Sequence, residues 1–136
     1  MKKGFACGVF DLFHAGHVLM LKECRENCDY LVVALNTCEE IDYHINPGKE
    51  PPVFSLEERR LILESCRYVD EVITYSNEDE LYRIMRDGGF SIRFLGDDYR
   101  GKPITGPDLP LELFYNSRSH GLSTSGYKRK IRESAR

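Results

Sequence analysis

Two histidines near the N-terminus stand at a spacing that suits phosphate chemistry. The segment GVFDLFHAGH, residues 8 to 17, follows an apolar run and places His14 and His17 three residues apart. At the start of a helix this spacing puts both imidazoles on one side, beside backbone N–H groups that have no partner inside the helix. Gly8 lets the backbone approach a ligand closely, and Gly16 leaves room beside the rings. Because the helix dipole is positive at this end, we expect an anion such as a phosphate to bind here.

A second anion site is predicted near the C-terminus. Ser123 and Thr124 begin the last predicted helix directly after Gly121 and Leu122, so that hydroxyls and backbone N–H groups converge. Arg118, five residues upstream of Ser123, supplies a planar and permanently charged guanidinium. We therefore expect a triphosphate held between two helix N-termini.

Two loops carry further charged residues. Lys49 lies in a proline-rich loop, ten residues before Arg59. Asp97 and Asp98 follow the end of a predicted strand. Adjacent aspartates generally point in different directions, so we expect one to contact a ligand and the other to cap a turn.

These motifs together resemble the nucleotidyltransferase superfamily. The residues His14-Ala15-Gly16-His17 look like its HxGH motif, and GVFDLFHAGH is most similar to the cytidylyltransferases that make CDP-alcohols. The stretch RSHGLST, residues 118 to 124, resembles their R-T-E-G-I-S-T motif, with departures at Ser119, His120 and Leu122. Residues 57 to 72 and 94 to 102 look most like the glycerol-3-phosphate enzymes, whereas PGKEPPVFSLEER looks closer to the phosphoethanolamine type. The resemblance covers nearly the whole chain.

The resemblance assigns roles to individual residues. The catalytic residues that it implies are His14, His17, Lys49 and Arg118. The nucleotide-binding residues that it implies are Gly8, Val9, Phe10, Asp11, Gly16, Asp97, Gly121, Ser123 and Thr124. The substrate-binding residues that it implies are Arg59, Arg67 and Asp70, although Arg67 and Asp70 suit a dimer interface or a paired helix end as well. The glycerol-3-phosphate enzymes often have Thr at the position of Val9. Valine has no hydroxyl group, so this chain lacks the contact that Thr could make.

The family's reaction sets the expected function. The resemblance implies transfer of CMP from CTP to a small phosphorylated alcohol, foremost glycerol 3-phosphate, for cell-envelope or capsule precursors, with Mg²⁺ held through the nucleotide phosphates and no protein ligand assigned. It also implies a homodimer. The alternatives are phosphoethanolamine, phosphocholine or a sugar phosphate as the acceptor, ATP as the nucleotide, and a catalytically silent nucleotide-binding module.

The elements that must position these residues alternate along the chain. Short apolar runs predict five strands, at residues 5–9, 30–35, 71–75, 92–95 and 111–115. Helical patterns fill the gaps at residues 17–25, 77–86 and 124–132, and another helix starts at the capping box Ser55-Leu56-Glu57-Glu58. Strands separated by helices favour one doubly wound, Rossmann-like α/β domain over residues 1–136 with about five parallel strands. The loops 36–53 and 96–110 are long enough to be functional.

Composition excludes several classes of protein. The 136 residues carry 19 Lys+Arg against 22 Asp+Glu, and the net charge of −3 gives no electrostatic reason to expect a nucleic acid partner. No apolar run approaches the ~18 residues that cross a bilayer, so we expect a soluble, cytoplasmic protein without a membrane partner. The five cysteines are odd in number and include no CxxC pair, which indicates reduced thiols. Zinc binding by the two histidines alone would lack a third ligand.

Overall fold

Strands and helices alternate in the order that parallel βαβ units require. The structure, a computed structural model, describes residues 1–45, 48–117 and 120–135. The strands are β1 Lys3–Gly8, β2 Tyr30–Asn36, β3 Glu71–Tyr75, β4 Ile92–Gly96 and β5 Glu112–Asn116. The helices are α1 Ala15–Glu26, α2 Leu56–Glu64, α3 Glu78–Asp87 and α4 Thr124–Ser134, with one 3-10 turn at Asp97–Tyr99.

The sheet has a switch point that creates the site. Its five strands are all parallel and lie in the order β3-β2-β1-β4-β5. From β1 the chain builds outward in one direction through β2 and β3, and it then returns to add β4 and β5 on the other side. A crevice forms at the carboxyl ends of β1 and β4, where open α/β sheets bind ligands. The predicted doubly wound fold with five parallel strands is confirmed.

Helix starts follow local capping chemistry. The capping box predicted at α2 is present: the Ser55 hydroxyl accepts the Glu58 N–H at 3.2 Å, and the Glu58 carboxylate accepts the Ser55 N–H at 3.2 Å. Asn77 caps α3 in a similar way. The first helix begins at Ala15 and not at His17, because His14 serves as its N-cap. Sequence periodicity starts at the first apolar residue, which explains this difference.

Apolar side chains cover both faces of the sheet. One core cluster combines Ala6 and Val33 of the sheet with Leu21 of α1 and Leu63 of α2. The other cluster lies on the opposite face, where Phe5 and Ala34 pack with residues of α3. Alternate residues of β1 and β2 thus enter opposite cores, as expected for strands that are buried on both faces.

Membrane-spanning helices and disulfide bonds are both absent from the described residues. Within the three described ranges, no helix has the length and apolar content needed to span a membrane. All five cysteines are free thiols. Cys24 and Cys28 are buried, and the Cys28 thiol donates to the Cys24 carbonyl at 3.3 Å.

Candidate active site

Two imidazoles form a reciprocal cap at the start of α1. Nδ1 of His14 accepts the Gly16 N–H at 3.0 Å, and Nδ1 of His17 accepts the His14 N–H at 3.1 Å. The ring centroids are 3.9 Å apart. A Cβ atom on Gly16 would lie 2.7 Å from Cε1 of His14 and 3.0 Å from Cβ of Leu122, so only glycine fits between the rings and the loop before α4. The expected spacing of the two histidines on one side is confirmed.

The cap also fixes which nitrogen of each ring carries the proton. A neutral imidazole that accepts at Nδ1 carries its proton on Nε2 and donates there. Nε2 of His14 lies 3.3 Å from the Thr124 hydroxyl, and that hydroxyl donates to the Asp11 carbonyl at 3.2 Å. Thr124 therefore accepts from His14. The two rings are hydrogen-bond donors toward the crevice.

Packing keeps His17 uncharged. The ring of Phe13 stacks on it at 5.4 Å between centroids, and the ring of Phe10 contacts it at 5.5 Å. Burial, followed by the neighbouring His14, lowers the pKa of His17 to about 4, while the Asp11 carboxylate opposes that change. Near pH 7 His17 is thus a neutral hydrogen-bond donor. Phe10 was predicted at the nucleotide; its side chain is buried and shapes the site through His17.

The two anion-ready helix starts face one cavity. Ser123 caps α4 by accepting the Gly126 N–H at 3.0 Å, and Gly121 adopts a left-handed φ of 68° just before it. His120, a departure from the family motif, accepts the Leu122 N–H at 2.8 Å through Nδ1 and shapes the same loop. This cavity has a volume of about 230 Å³ and is called the smaller cavity below, because a larger one adjoins it. Its walls include His14, Gly16, His17, Asp98, Asn116, Ser123 and Thr124. Gly121 lies beside this cavity and does not line it.

The two aspartates after β4 point in different directions. Asp98 lines the smaller cavity. Asp97 forms an ion pair with Arg100 at 2.9 Å on the exposed surface. The structure therefore brings Asp98 to the site in place of the predicted Asp97, because the 3-10 turn at these residues rotates successive side chains apart. Asn116 at the end of β5 lines both cavities, and the sequence analysis did not name it as a site residue. Its polar side chain directly after an apolar run was the signal that could have identified it.

A larger cavity adjoins the first. Its volume is about 460 Å³, and it shares Gly96, Asn116 and Met20 with the smaller cavity. Gly8 and Val9 at the end of β1 line it, and so does the exposed Lys49. The structure therefore places Lys49 on the larger cavity, together with the end of β1. Arg118, together with Ser119, lies outside the described residues.

Asp11 ties three segments together beneath the site. Its carboxylate is 6% exposed and accepts the N–H groups of Val53 and Phe54 at 2.7 and 2.9 Å. Lys128 of α4 lies 3.9 Å from the same carboxylate and 3.5 Å from Glu50. Asp11 was predicted at the nucleotide; its contacts make it a positioning residue that joins the β1–α1 turn to α4 and to the Lys49 loop. That turn is strained, since Phe10 and Leu12 both have a positive φ, of 52° and 49°.

Arg59 is buried within the protein and bonded to it. The residue is only 2% exposed. Its guanidinium donates to the carbonyl oxygens of Phe54, Val9, Asn36 and Thr37. These carbonyls lie at or just beyond the ends of β1 and β2 and at the start of α2. Arg59, predicted to bind substrate, thereby holds the floor of the larger cavity through four backbone contacts.

Arg67 and Asp70 are not brought to the histidines. Both lie between α2 and β3, at the amino-terminal edge of the sheet, opposite the crevice. Asp70 accepts the Leu31 N–H at 2.7 Å and forms an ion pair with Arg25 at 3.0 Å. The Arg67 guanidinium lies over the Tyr68 ring. Asp70 thus pairs with Arg25 of α1 and not with Arg67, which differs from the paired helix end that the sequence offered as an alternative.

Comparison with known proteins agrees with this geometry. The family model described as cytidylyltransferase-like matches residues 5–128. A glycerol-3-phosphate cytidylyltransferase of Bacillus subtilis is 39% identical over 96% of this chain and 98% of its own length. The enzyme of that name from Staphylococcus aureus is 34% identical over 96% of each chain. A bifunctional protein HldE of Wolinella succinogenes is 34% identical over 96% of this chain but only 27% of its own length.

Solved structures share the architecture. The lipopolysaccharide core biosynthesis protein of Thermoplasma volcanium has a TM-score of 0.67 and 26% identity over 86% of this chain and 97% of its own. A pantothenate synthetase of Thermus thermophilus, 18% identical with a TM-score of 0.52 over 95% of this chain and 64% of its own, shows a similar fold. The paired helix N-termini, the histidine cap and a match over nearly the full length lead to one conclusion: the chain belongs to the cytidylyltransferase-like family and is an enzyme of the nucleotidyltransferase class.

Proposed function

We propose that this enzyme transfers the cytidylyl group of CTP to glycerol 3-phosphate and releases CDP-glycerol and pyrophosphate. The observation that carries the proposal is the convergence of two helix N-termini and two imidazole donors on one cavity, next to a second cavity reached by Lys49. Relatives named for this reaction, 33–39% identical over 96% of the chain, support the choice of CTP and glycerol 3-phosphate.

The reaction needs little proton chemistry. A phosphate monoester has a second pKa of about 6, so the acceptor oxygen is already largely ionised near pH 7. That oxygen forms a bond to the α-phosphorus of CTP, and the bond from the α-phosphorus to the leaving pyrophosphate breaks. The barrier lies in bringing two anions together and in stabilising charge on the α-phosphoryl and pyrophosphate oxygens.

The chain supplies donors and positive charge for that task. Nε2–H of His17 would donate to a phosphate oxygen, and Nε2–H of His14 would do so by exchanging the Thr124 hydroxyl for a phosphate oxygen; both rings would act as neutral imidazoles, with no protonation step required. The N-termini of α1 and α4 add backbone N–H groups and the positive ends of two helix dipoles. Lys49 and the predicted Arg118 would provide cationic contacts, as the sequence indicates.

Magnesium would enter with the nucleotide. Among the described residues, no three His, Cys, Asp or Glu side chains gather into a metal site. Mg²⁺ would therefore be held by the phosphate oxygens of CTP, with Asp98 as the carboxylate that lines the same cavity. When bound, the ion neutralises part of the triphosphate charge.

The first test is pyrophosphate release from the purified enzyme with Mg²⁺. CTP and ATP would each be offered with glycerol 3-phosphate, phosphoethanolamine, phosphocholine and simple sugar phosphates. Release with CTP and glycerol 3-phosphate, and CDP-glycerol identified by mass spectrometry, is the expected result. Release only with ATP would replace the nucleotide, and release only with a sugar phosphate would replace the acceptor. Light scattering on the same sample would test the homodimer that the family resemblance implies.

A further inference from the structure

The larger cavity contains a buried cation that no part of the proposed mechanism uses. Arg93 occupies the second position of β4, where its neighbours Ile92 and Phe94 are apolar and buried. The residue is only 5% exposed, and it lines the larger cavity. In β4 it lies opposite Phe5 of β1, on the face of the sheet that α3 covers.

The hydrogen bonding of Arg93 is incomplete. One terminal nitrogen donates to the Thr105 carbonyl. The Nε–H group is buried and has no hydrogen-bond partner among the residues that the structure describes. A buried N–H group without an acceptor is costly, and a buried charge without a counter-charge is more so. A guanidinium with so few partners in the wall of a cavity is suited to a ligand that brings an acceptor oxygen.

The titratable groups around Arg93 form no direct ion pair with it among the described residues. The Cys7 thiol lies beside Arg93, and the Tyr75 hydroxyl lies beside Cys7; burial raises the pKa of both, so that both remain protonated and uncharged. Glu78 also lines the cavity, where its carboxylate accepts the Thr105 hydroxyl and does not pair directly with Arg93. Across the described ranges, no carboxylate forms an ion pair with Arg93 within 4.0 Å. Lys49, on the same cavity, adds a second positive charge.

We infer that Arg93 determines the acceptor specificity of this enzyme by donating a guanidinium N–H to an oxygen on the tail of the phosphorylated acceptor. The favoured class is a polyol phosphate, whose hydroxyl oxygens accept hydrogen bonds. Acceptors that end in an ammonium or a trimethylammonium group are disfavoured, because such groups carry no lone pair and repel the guanidinium in a poorly solvated cavity. This inference rests on the proposed function and names the residue that separates glycerol 3-phosphate from phosphoethanolamine and phosphocholine.

The position of the cavity supports this assignment. It shares walls with the cavity that holds the two histidines, so an acceptor whose phosphate lies near Gly8 and Lys49 would extend its tail along β4. Its volume of about 460 Å³ exceeds what a three-carbon polyol phosphate fills, which leaves room for water or for a longer polyol.

The test compares Arg93→Met and Arg93→Lys with Arg83→Met, a matched control on the exposed surface of α3. Acceptor kcat/KM is measured for glycerol 3-phosphate, phosphoethanolamine and phosphocholine, together with the KM for CTP. We expect the wild type to favour glycerol 3-phosphate over the two cationic acceptors by about 100-fold or more. Arg93→Met should raise the KM for glycerol 3-phosphate about 10- to 100-fold, change the KM for CTP by no more than about twofold, and reduce the preference by a similar factor.

The outcomes separate this inference from the proposed function. Equal use of phosphoethanolamine by the wild type, or an unchanged acceptor KM in Arg93→Met, would overturn the inference. If Arg93 only tethers the loop at Thr105, the KM values for CTP and acceptor should rise together and the preference should stay constant. Absence of turnover with every acceptor would reject the proposed function instead; calorimetric titration of glycerol 3-phosphate and phosphoethanolamine into the wild type would then test Arg93 by binding alone. If Arg93→Met does not fold, Arg93→Lys, which keeps the charge but has no guanidinium N–H groups, should lower the preference for glycerol 3-phosphate, and an unchanged preference in that variant would overturn the inference.

Discussion

The imidazole rings of His14 and His17 lie with their centroids 3.9 Å apart, and the Nδ1 atom of each ring accepts a backbone N–H at the start of α1. This reciprocal cap turns a structural requirement of the helix into a functional one. The nitrogens that satisfy the backbone fix the opposite nitrogens as donors. The same arrangement orients both donors before any ligand arrives, which is the kind of preorganisation that stabilises developing charge.

Replacing His17 should affect turnover more than nucleotide binding. His17→Ala removes one donor to the charge that develops in the transition state, so we expect kcat to fall about 10²- to 10³-fold. The Kd for CTP, measured by calorimetry, should rise less than about tenfold, since ground-state contacts are shared among many donors. His44→Ala, at an exposed histidine in another loop, is the control. Equal losses in kcat and CTP affinity would contradict the transition-state role.

The two adjacent aspartates offer a matched pair. Asp98 lines the smaller cavity, whereas Asp97 pairs with Arg100 at the surface. Asp98→Asn should therefore raise the KM for CTP about tenfold, because it removes the carboxylate that we place beside the Mg²⁺ of the bound nucleotide. Asp97→Asn should change it less than about twofold, because an exposed ion pair contributes little. The reverse result in steady-state kinetics would restore the residue that the sequence favoured.

Arg59 and Arg60 differ in burial but are neighbours on α2. Arg59→Met leaves four backbone carbonyl oxygens without their donor, so we expect a loss of about 3 kcal/mol in the free energy of unfolding. Arg60→Met removes only an exposed pair with Glu64 and should cost less than about 0.5 kcal/mol. Urea denaturation of both variants measures the difference. Equal stabilities, together with a raised acceptor KM in Arg59→Met, would favour the direct substrate contact predicted from sequence.

His17 should make stability depend on pH. Its pKa is lowered from 6.5 to about 4 in the folded chain, so between these values the unfolded chain binds a proton that the folded chain does not. Stability from this group therefore rises with pH through that window and is lost as the pH falls. Urea unfolding at about pH 7 and about pH 4.5 should show the wild type losing about 2 kcal/mol more than His17→Asn, which cannot titrate there. Equal losses in the two proteins would show that His17 titrates normally.

Chelation should stop the reaction without unfolding the protein. The described residues offer no cluster of three metal ligands, and we propose that Mg²⁺ arrives on the triphosphate. Excess EDTA should abolish pyrophosphate release, and added Mg²⁺ should restore it. The Tm in the absence of nucleotide should shift by less than about 1 °C, because the described residues offer no site at which an ion could contribute to folding. A large fall in Tm would indicate a structural metal.

Local chemistry explains which features could be predicted from sequence. The Ser55 and Glu58 capping box, the strand runs and the HxGH spacing depend on neighbours in the chain, so their patterns are visible without a fold. The choice between Asp97 and Asp98 depends on the rotation of a single 3-10 turn, which neither residue specifies. Arg93 could have been noticed as the one charge in the apolar run Ile92–Leu95, but its open Nε–H depends on Thr105 across a loop.

The sequence by itself determined the alternation of strands and helices, the two capped helix starts and the family, because each is encoded in short-range spacing. The tertiary structure decided which charges meet. Sheet order places the ends of β1 and β4 side by side and thereby joins the two cavities. Because all strands are parallel, Asp70, which directly precedes β3, lies at the amino-terminal end of the sheet, opposite the crevice. It also buries Arg59 among carbonyls and leaves Arg93 facing a cavity, since burial and hydrogen-bond satisfaction depend on segments that are distant in the chain.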